Sequence, residues 1–343
     1  MGFFSFTKDI AIDLGTANTI IICDDKIMVD APSVVALDRR TDKVLAVGEQ
    51  ARLMYEKTHD SIRTIRPLGD GVIADFYAAE QMIRGMIKMI NFKNRWFSPP
   101  LRIVICVPSG ATEVERRAVR DSSERAGGRE VYLIDEPMAA AVGIGLDVEA
   151  PEGNMVVDIG GGTTEVAVIS LGGIVTSRSV RKAGDAMDDA IIQHVKKKYN
   201  LMIGERTAEE IKIEVGTAYP LEQVETYEVR GRDLVSGLPK NVEITSEEIY
   251  KALSDPVATI MDAIKSTLEQ TPPELSADIM DRGIVMAGGG SLLRGLDYLV
   301  SEQTGMPAHL SEDPLLAVAY GTGRVLENIN ILRKVIIHPK RIN

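Results

Sequence analysis

Short apolar runs and helical periods alternate along this chain in an order that occurs twice. Near the N-terminus IAIDLG, TIIICDD, KIMVD and SVVAL are apolar runs bounded by Gly, Asp and Pro, which predicts strands joined as a meander or as hairpins. ADFYAAEQMIRGMIKMI then sets Phe76, Met82, Ile83, Met86, Ile87 and Ile90 at helical spacing, and RIVICVP reads as a fully buried strand. ATEVERRAVRDSSERAG predicts a polar-faced helix ending at Gly127 and Gly128. EVYLID predicts a strand and EPMAAAVGIGL a small-residue helix with Pro137 near its start. The second half repeats the plan. MVVDIGG, TEVAVISL and GIVTSRSV form a new meander, DAMDDAIIQHVKKKYN and SEEIYKALSDPVATIMDAIKSTLEQ are helices, and GIVMAGG is a late strand. Residues of about 219–245 read as a β-containing insertion, and LLAVAYGTGRVLENINIL closes the chain in a helical pattern. The fold class is therefore α/β.

In both halves an apolar strand ends in Asp and then a Gly-containing turn: Asp13 and Gly15 in IAIDLGTANTI, Asp158 and Gly160 in VVDIGGGTTEVAV. Glycine lets backbone amides close on an anion, and the hydroxyl and amide groups of Thr16 and Asn18 add donors beside Ala17. A carboxylate at the mouth of such a turn would repel bare phosphate. Asp13 and Asp158 make sense if Mg²⁺ and its waters sit between them and the phosphates. A lone Asp-x-Gly-Thr turn is more often an ordinary hairpin, but Gly160, Gly161 and Gly162 before Thr163 weaken a strand end and point to close backbone approach. MAGGGSLLRGL is a third glycine turn between strand and helix, with Ser291 a candidate N-cap.

The chain has 343 residues, enough for two domains or one duplicated internally. Its 45% apolar and 26% charged residues are those of a soluble globular protein, and no apolar run is long enough for a bilayer. A net charge of −11 opposes general attraction to nucleic acid and to anionic membranes, so no nucleic-acid partner is expected and membrane contact must be apolar. Cys23 and Cys106 lie in strand-like runs and no signal peptide precedes them, which points to a reduced, cytosolic protein. His59, His194, His309 and His338 are scattered without partner cysteines, which disfavours a zinc site. Leu296 follows Gly295 where a Walker A loop needs Lys, the glycine turns do not fit a dinucleotide fingerprint, and a Gly-x-Ser-x-Gly elbow is missing.

The phosphate hairpin, the helix with an acidic start, the second phosphate hairpin and MAGGGSLLRGL, in this order, resemble the actin, heat-shock-70 and sugar-kinase superfamily. Within it IDLGTANT, IDEPMAAAVGIGLD, DIGGGTTEVAV, AEEIKIEVG and MAGGGSLLRGL are similar to the MreB family of bacterial actin-like proteins, over nearly the whole chain. The resemblance implies an actin-like ATPase fold of two similar domains with ribonuclease-H-like cores, ATP and Mg²⁺ in the cleft, and nucleotide-linked assembly into filaments. Applied to this chain, it implies a first domain of residues 1–142 (core 1–31 and 68–142, insertion 32–67) completed by 316–343. The second domain would be 143–315, with core 143–183 and 246–315 and insertion 184–245. It also implies that Gly288, Gly289, Gly290 and Ser291 lie against the sugar and α-phosphate, and that Glu209, Glu210, Ile211 and Lys212 border the nucleoside, although AEEIK alone reads as a solvated helix face.

Hydrolysis needs a group that orients or deprotonates a water in line with the γ-phosphate. The resemblance places Glu136 in that role, with Thr163 beside the water; without it, Glu136 reads as an acidic residue complementing a helix dipole. Trp96 and Phe97 stand together in a polar loop with Lys93, Arg95 and Arg102 around them, and Phe3, Phe4 and Phe6 precede the first strand. Such a loop either folds back or meets an apolar partner, and the resemblance implies insertion into the inner face of the cytoplasmic membrane. Gly2 does not imply myristoylation, because Phe6 stands where that motif needs Ser or Thr. Cell-elongation membrane proteins are the partners implied, besides further copies of the chain. A chaperone-type ATPase or a small-molecule kinase of the same superfamily is the alternative; only about fifty residues follow the last glycine turn, too few for a peptide-binding domain, and no acceptor pocket is evident.

Overall fold

The computed structural model describes residues 7–55, 57, 59–90 and 100–337. Its contacts divide the chain into two units, Met1–Glu152 with Ile169–Val175 and Leu315–Asn343, and Gly153–Val168 with Thr176–Pro314.

In the first unit six strands lie side by side in the order Ile336–Ile337, Gly128–Asp135, Leu101–Val107, Lys8–Leu14, Asn18–Cys23, Lys26–Pro32. The opening strands form antiparallel hairpins, and Leu101–Val107 runs parallel to both Lys8–Leu14 and Gly128–Asp135. Parallel strands buried on both faces need continuous apolar runs, which Ile10, Ile12, Ile103, Ile105 and Leu133 supply. Helix Phe76–Met89 is capped by Asp75, which accepts from the Ala78 amide, and buries Met82, Ile83, Met86 and Ile87 as its period predicts. Phe76 is half-buried under the Arg125 guanidinium, 5.2 Å from its ring centre. Helix Glu113–Arg125 begins with a reciprocal capping box between Thr112 and Glu115.

The run SVVAL departs from the expected meander. Val35–Asp38 pairs with Val44–Val47 and Ile62–Ile65 in a separate three-stranded sheet. The chain turns out of the main sheet after Pro32, where the Ser33 amide donates to the Ala17 carbonyl and the Gly48 amide to that of Val34.

In the second unit strand Asn154–Ile159 runs parallel to Ile284–Ala287, which runs parallel to Ala308–Leu310, in a five-stranded sheet with Thr164–Ser170 and Gly173–Val180. Helices Gly184–Tyr199, Glu205–Val215 and Ser246–Glu269 bury Met187, Ile191, Val195, Ile211, Ile260 and Ile264 in one core with Val157, Val166 and Met286. The region expected to be a β-containing insertion is the hairpin Thr226–Asp233 and Pro239–Thr245, joined by Leu201–Met202.

Candidate functional site

The C-terminal ends of parallel strands are where α/β proteins collect ligand groups, because the strands stop in register and the loops open there. In the first unit the register sets Ile12 opposite Ile105 and Cys106 opposite Ile134, so the strand ends carrying Asp13, Cys106 and Asp135 come side by side. The Cys106 thiol donates to Asp13 Oδ1 at 3.2 Å. Burial pushes that thiol well above its usual range, and the carboxylates of Asp13 and Glu136 add to the effect, which keeps it a protonated donor. Burial also pushes the Asp13 carboxyl up to about 6, opposed by the thiol hydrogen bond.

The turn after Asp13 is built by backbone approach. A Cβ on Gly15 would stand 2.6 Å from the Asn18 carbonyl oxygen, so only glycine closes the hairpin this tightly. Ser33 Oγ donates to the Gly15 carbonyl at 2.6 Å and lies 2.8 Å from Thr19 Oγ1, fixing the turn from below. Thr16 Oγ1 accepts from the Gly71 amide at 3.0 Å, which leaves its own proton for another acceptor. Asn18 is exposed and Ala17 half-buried.

Glu136 is the first residue of helix Glu136–Ile144, with Pro137 behind it, and its side chain is buried. A carboxylate there faces the positive end of the helix. Asp135, which sequence reasoning passed over, is held at 3.3 Å by Arg116, yet burial outweighs the guanidinium and raises its carboxyl to about 6.

In the second unit Asp158 ends the buried strand Asn154–Ile159 in register with Ala287, which brings it to the third glycine turn. A Cβ on Gly288 would stand 2.5 Å from Asp158 Oδ1 and 2.3 Å from the Ile159 carbonyl oxygen, at a φ of +78°, so the two glycine segments are packed backbone to backbone. The carbonyls of Gly160 and Gly161 accept from the Gly184 and Asp185 amides, which open helix Gly184–Tyr199, and the Gly160 amide donates to Thr163. Gly162 lies in the same turn, and Thr163 is buried. Ser291 is not the N-cap that the sequence suggests. It lies inside the short helix Gly289–Leu292, where its hydroxyl donates to the Gly288 carbonyl at 2.6 Å, and helix Leu296–Thr304 is preceded by Gly295 instead.

Helix Glu205–Val215 carries the remaining expected residues, and they divide by face. Ile211 is in the core, Glu209 is exposed, and Glu210 accepts from Arg206 at 3.0 Å. Lys212 alone reaches the glycine region: its Nζ donates to the Gly184 carbonyl at 3.3 Å and to Asp188, whose carboxyl burial raises to about 6 against the pull of Lys212. Arg294, just beyond the third glycine turn, ties this helix down by donating to the carbonyls of Glu214 and Gly216.

Among the described residues no three His, Cys, Asp or Glu side chains converge as a cage, and no helix is long and apolar enough to cross a membrane. Asp13 and Asp158 each place a carboxylate beside a glycine turn of their own unit. Phe3, Phe4, Phe6, Trp96 and Phe97 lie outside the described residues.

A family model for the MreB/Mbl protein matches residues 7–334. The chain is 53% identical over 330 residues to the cell shape-determining protein Mbl of Bacillus cereus, covering 96% of this chain and 98% of that protein. It is 52% identical to the cell shape-determining protein MreB of Escherichia coli K12, with 95% of each chain covered. Among solved structures, MreB 5 of Spiroplasma citri bound to AMPPNP superimposes with a TM-score of 0.88 at 38% identity, covering 94% of this chain and 97% of the other. The chain belongs to the MreB/Mbl family of actin-like, cell shape-determining proteins.

Proposed function

We propose that this chain binds and hydrolyses ATP with Mg²⁺, and that its nucleotide state governs assembly of copies into filaments on the inner face of the cytoplasmic membrane, where they organise rod shape and cell-wall synthesis with membrane proteins of the elongation machinery. The observation that carries this reading is backbone too close for any Cβ beside each strand-end Asp: at Gly15, in the turn that follows Asp13, and at Gly288, in the third glycine turn, which packs against Asp158 and Ile159. Such turns recognise phosphate through amides rather than side chains. The AMPPNP held by the Spiroplasma citri relative supports a nucleotide as the ligand.

In this reading the turn Gly15, Thr16, Ala17, Asn18 and the turn Gly160, Gly161, Gly162, Thr163 donate to the phosphates, and the turn Gly288 to Ser291 serves the sugar and α-phosphate. Helix Glu205–Val215 borders the nucleoside. Asp13 and Asp158 would hold Mg²⁺ through its waters, where the ion would supply positive charge against the phosphates. Glu136 orients the attacking water and accepts its proton, with Thr163 as a second contact. Burial suits Glu136 for this work, because a carboxylate shielded from bulk water can hold one water in a fixed place. Cys106 holds the Asp13 carboxylate by its thiol, so that carboxylate and Glu136 keep separate tasks.

The variant Glu136→Ala tests the chemistry. It should retain nucleotide while releasing phosphate on the order of a hundredfold more slowly, the usual weight of a positioned general base. Unchanged hydrolysis would remove Glu136 from the mechanism.

A further inference from the structure

The hairpin of the second unit ends in an apolar tip that nothing in the nucleotide reading uses. Val235 is 84% exposed, Leu238 65% and Leu234 42%, and Met202 on the adjoining strand is 50% exposed. The tip is a built turn. Asp233 Oδ1 accepts from the Val235 and Ser236 amides at 2.8 Å each, its other oxygen meets Lys240 at 3.2 Å, and the Gly237 amide donates to the Asp233 carbonyl. Those bonds lower the Asp233 carboxyl to about 2, so the turn keeps its shape across the working range of pH.

Cations stand directly behind the tip. The Leu234 amide donates to the Asn200 carbonyl, and Lys240 Nζ to that of Tyr199, which joins the turn to the end of helix Gly184–Tyr199, where Lys196, Lys197 and Lys198 are exposed. Arg232 is exposed beside Met202, 3.3 Å from its sulfur. The nearby acids are occupied: Asp233 by its own turn and Lys240, Glu248 by His194, Lys198 and Tyr199. Glu228 and Glu243 face each other in the ladder about 16 Å back from the tip at strand spacing, beyond a Debye length at physiological salt.

Along the hairpin axis, apolar side chains come first and a cationic collar follows. That is the order of hydrocarbon and phosphate met on entering an anionic bilayer. A protein carrying net charge −11 gathers cations here against its overall balance. We propose that this tip, Leu234 to Leu238 with the Lys196, Lys197 and Arg232 collar, is a lipid-contact point that inserts into the headgroup region of an anionic membrane. It is separate from the N-terminal phenylalanines and from Trp96 and Phe97, and it does not depend on nucleotide.

The test uses the full-length chain. Cys23 and Cys106 are both buried, so Ser236→Cys offers one reactive thiol for an environment-sensitive fluorophore. With vesicles containing phosphatidylglycerol the label should shift to the blue and be quenched by nitroxide on the acyl chains, and with phosphatidylcholine alone it should do neither. In the unlabelled protein, Val235→Asp with Leu238→Asp should weaken partitioning to the anionic vesicles about tenfold, and Lys196→Glu with Lys197→Glu should weaken the preference for them. A label that keeps its aqueous emission while the protein sediments with vesicles would overturn the proposal. A blue shift that grows with protein concentration without lipid would also overturn it, assigning the tip to a second copy, as would failure of the full chain to bind these vesicles.

Discussion

The thiol of Cys106 donates to Asp13 Oδ1 at 3.2 Å, joining residues ninety-three positions apart at the ends of two parallel strands. The bond holds one carboxylate oxygen, and in the proposed reading the other faces the waters of Mg²⁺. Cys106→Ala should therefore raise the Mg²⁺ concentration needed to retain nucleotide by about fivefold, the equivalent of roughly 1 kcal/mol, the ordinary weight of one hydrogen bond, since the thiol is a weak donor. Cys106→Ser, which keeps a donor, should stay near the parent. Mg²⁺ titration of the release rate of a fluorescent nucleotide separates the two, and identical curves for Ala and Ser would show that the bond plays no positioning role.

The glycine turns were legible in the sequence because their chemistry is local: Asp13 to Asn18 and Asp158 to Thr163 are contiguous, and three adjacent glycines have few other uses. The helix Phe76–Met89 was legible for a similar reason, since its period shows in one window. What the sequence hides depends on register. Cys106 meets Asp13 only because Leu101–Val107 pairs in parallel with Lys8–Leu14, and Asp188 meets Lys212 only because two helices pack side by side. Ser291 misled because Ser before an apolar run resembles an N-cap, yet its hydroxyl has a carbonyl three residues back to satisfy. The sequence reading placed Leu234 to Leu238 only within a β-containing insertion, because the exposure of its side chains and the lysines behind them depend on how the hairpin packs.

Helices Glu136–Ile144 and Ala317–Glu327 cross so closely that a Cβ on Gly321 would fall 1.7 Å from the Ala139 carbonyl oxygen, and one on Gly143 1.8 Å from that of Ala317. Arg324 donates to the Val142 carbonyl at 2.8 Å and fastens the same helix at its far end. Gly321→Ala must push the helices apart and should cost about 3 kcal/mol, seen as a lowered Tm in a thermal melt. In the same helix a Cβ on Gly323 would meet only Ile22 at 3.6 Å, so Gly323→Ala should be neutral or gain about 0.5–1 kcal/mol. Equal effects at the two positions would contradict the close crossing.

Asp135 supplies a pH dependence with a definite sign. Its folded carboxyl titrates at about 6, above its ordinary value of 3.8, so between those pH values the folded state holds more protons than the unfolded one. Stability from this group is greatest below the ordinary value, falls as pH rises through the window and is level above about 6. Asp135→Asn, which cannot ionise, should match the wild type near pH 4 and exceed it above pH 6, by about 3 kcal/mol at most. Urea unfolding of the nucleotide-free proteins across that range reads the difference. A wild type that exceeds the variant at neutral pH would show that the Arg116 pair, not burial, dominates.

The most direct test of the account is to pellet the full-length chain in Mg²⁺-ATP, in Mg²⁺-ADP and without nucleotide, with anionic vesicles present, while phosphate release is followed in the same tubes and the pellets are imaged. The account predicts filaments on lipid whose amount depends on the nucleotide, with phosphate released alongside. A soluble monomer that neither assembles nor releases phosphate in any of the three conditions would contradict it.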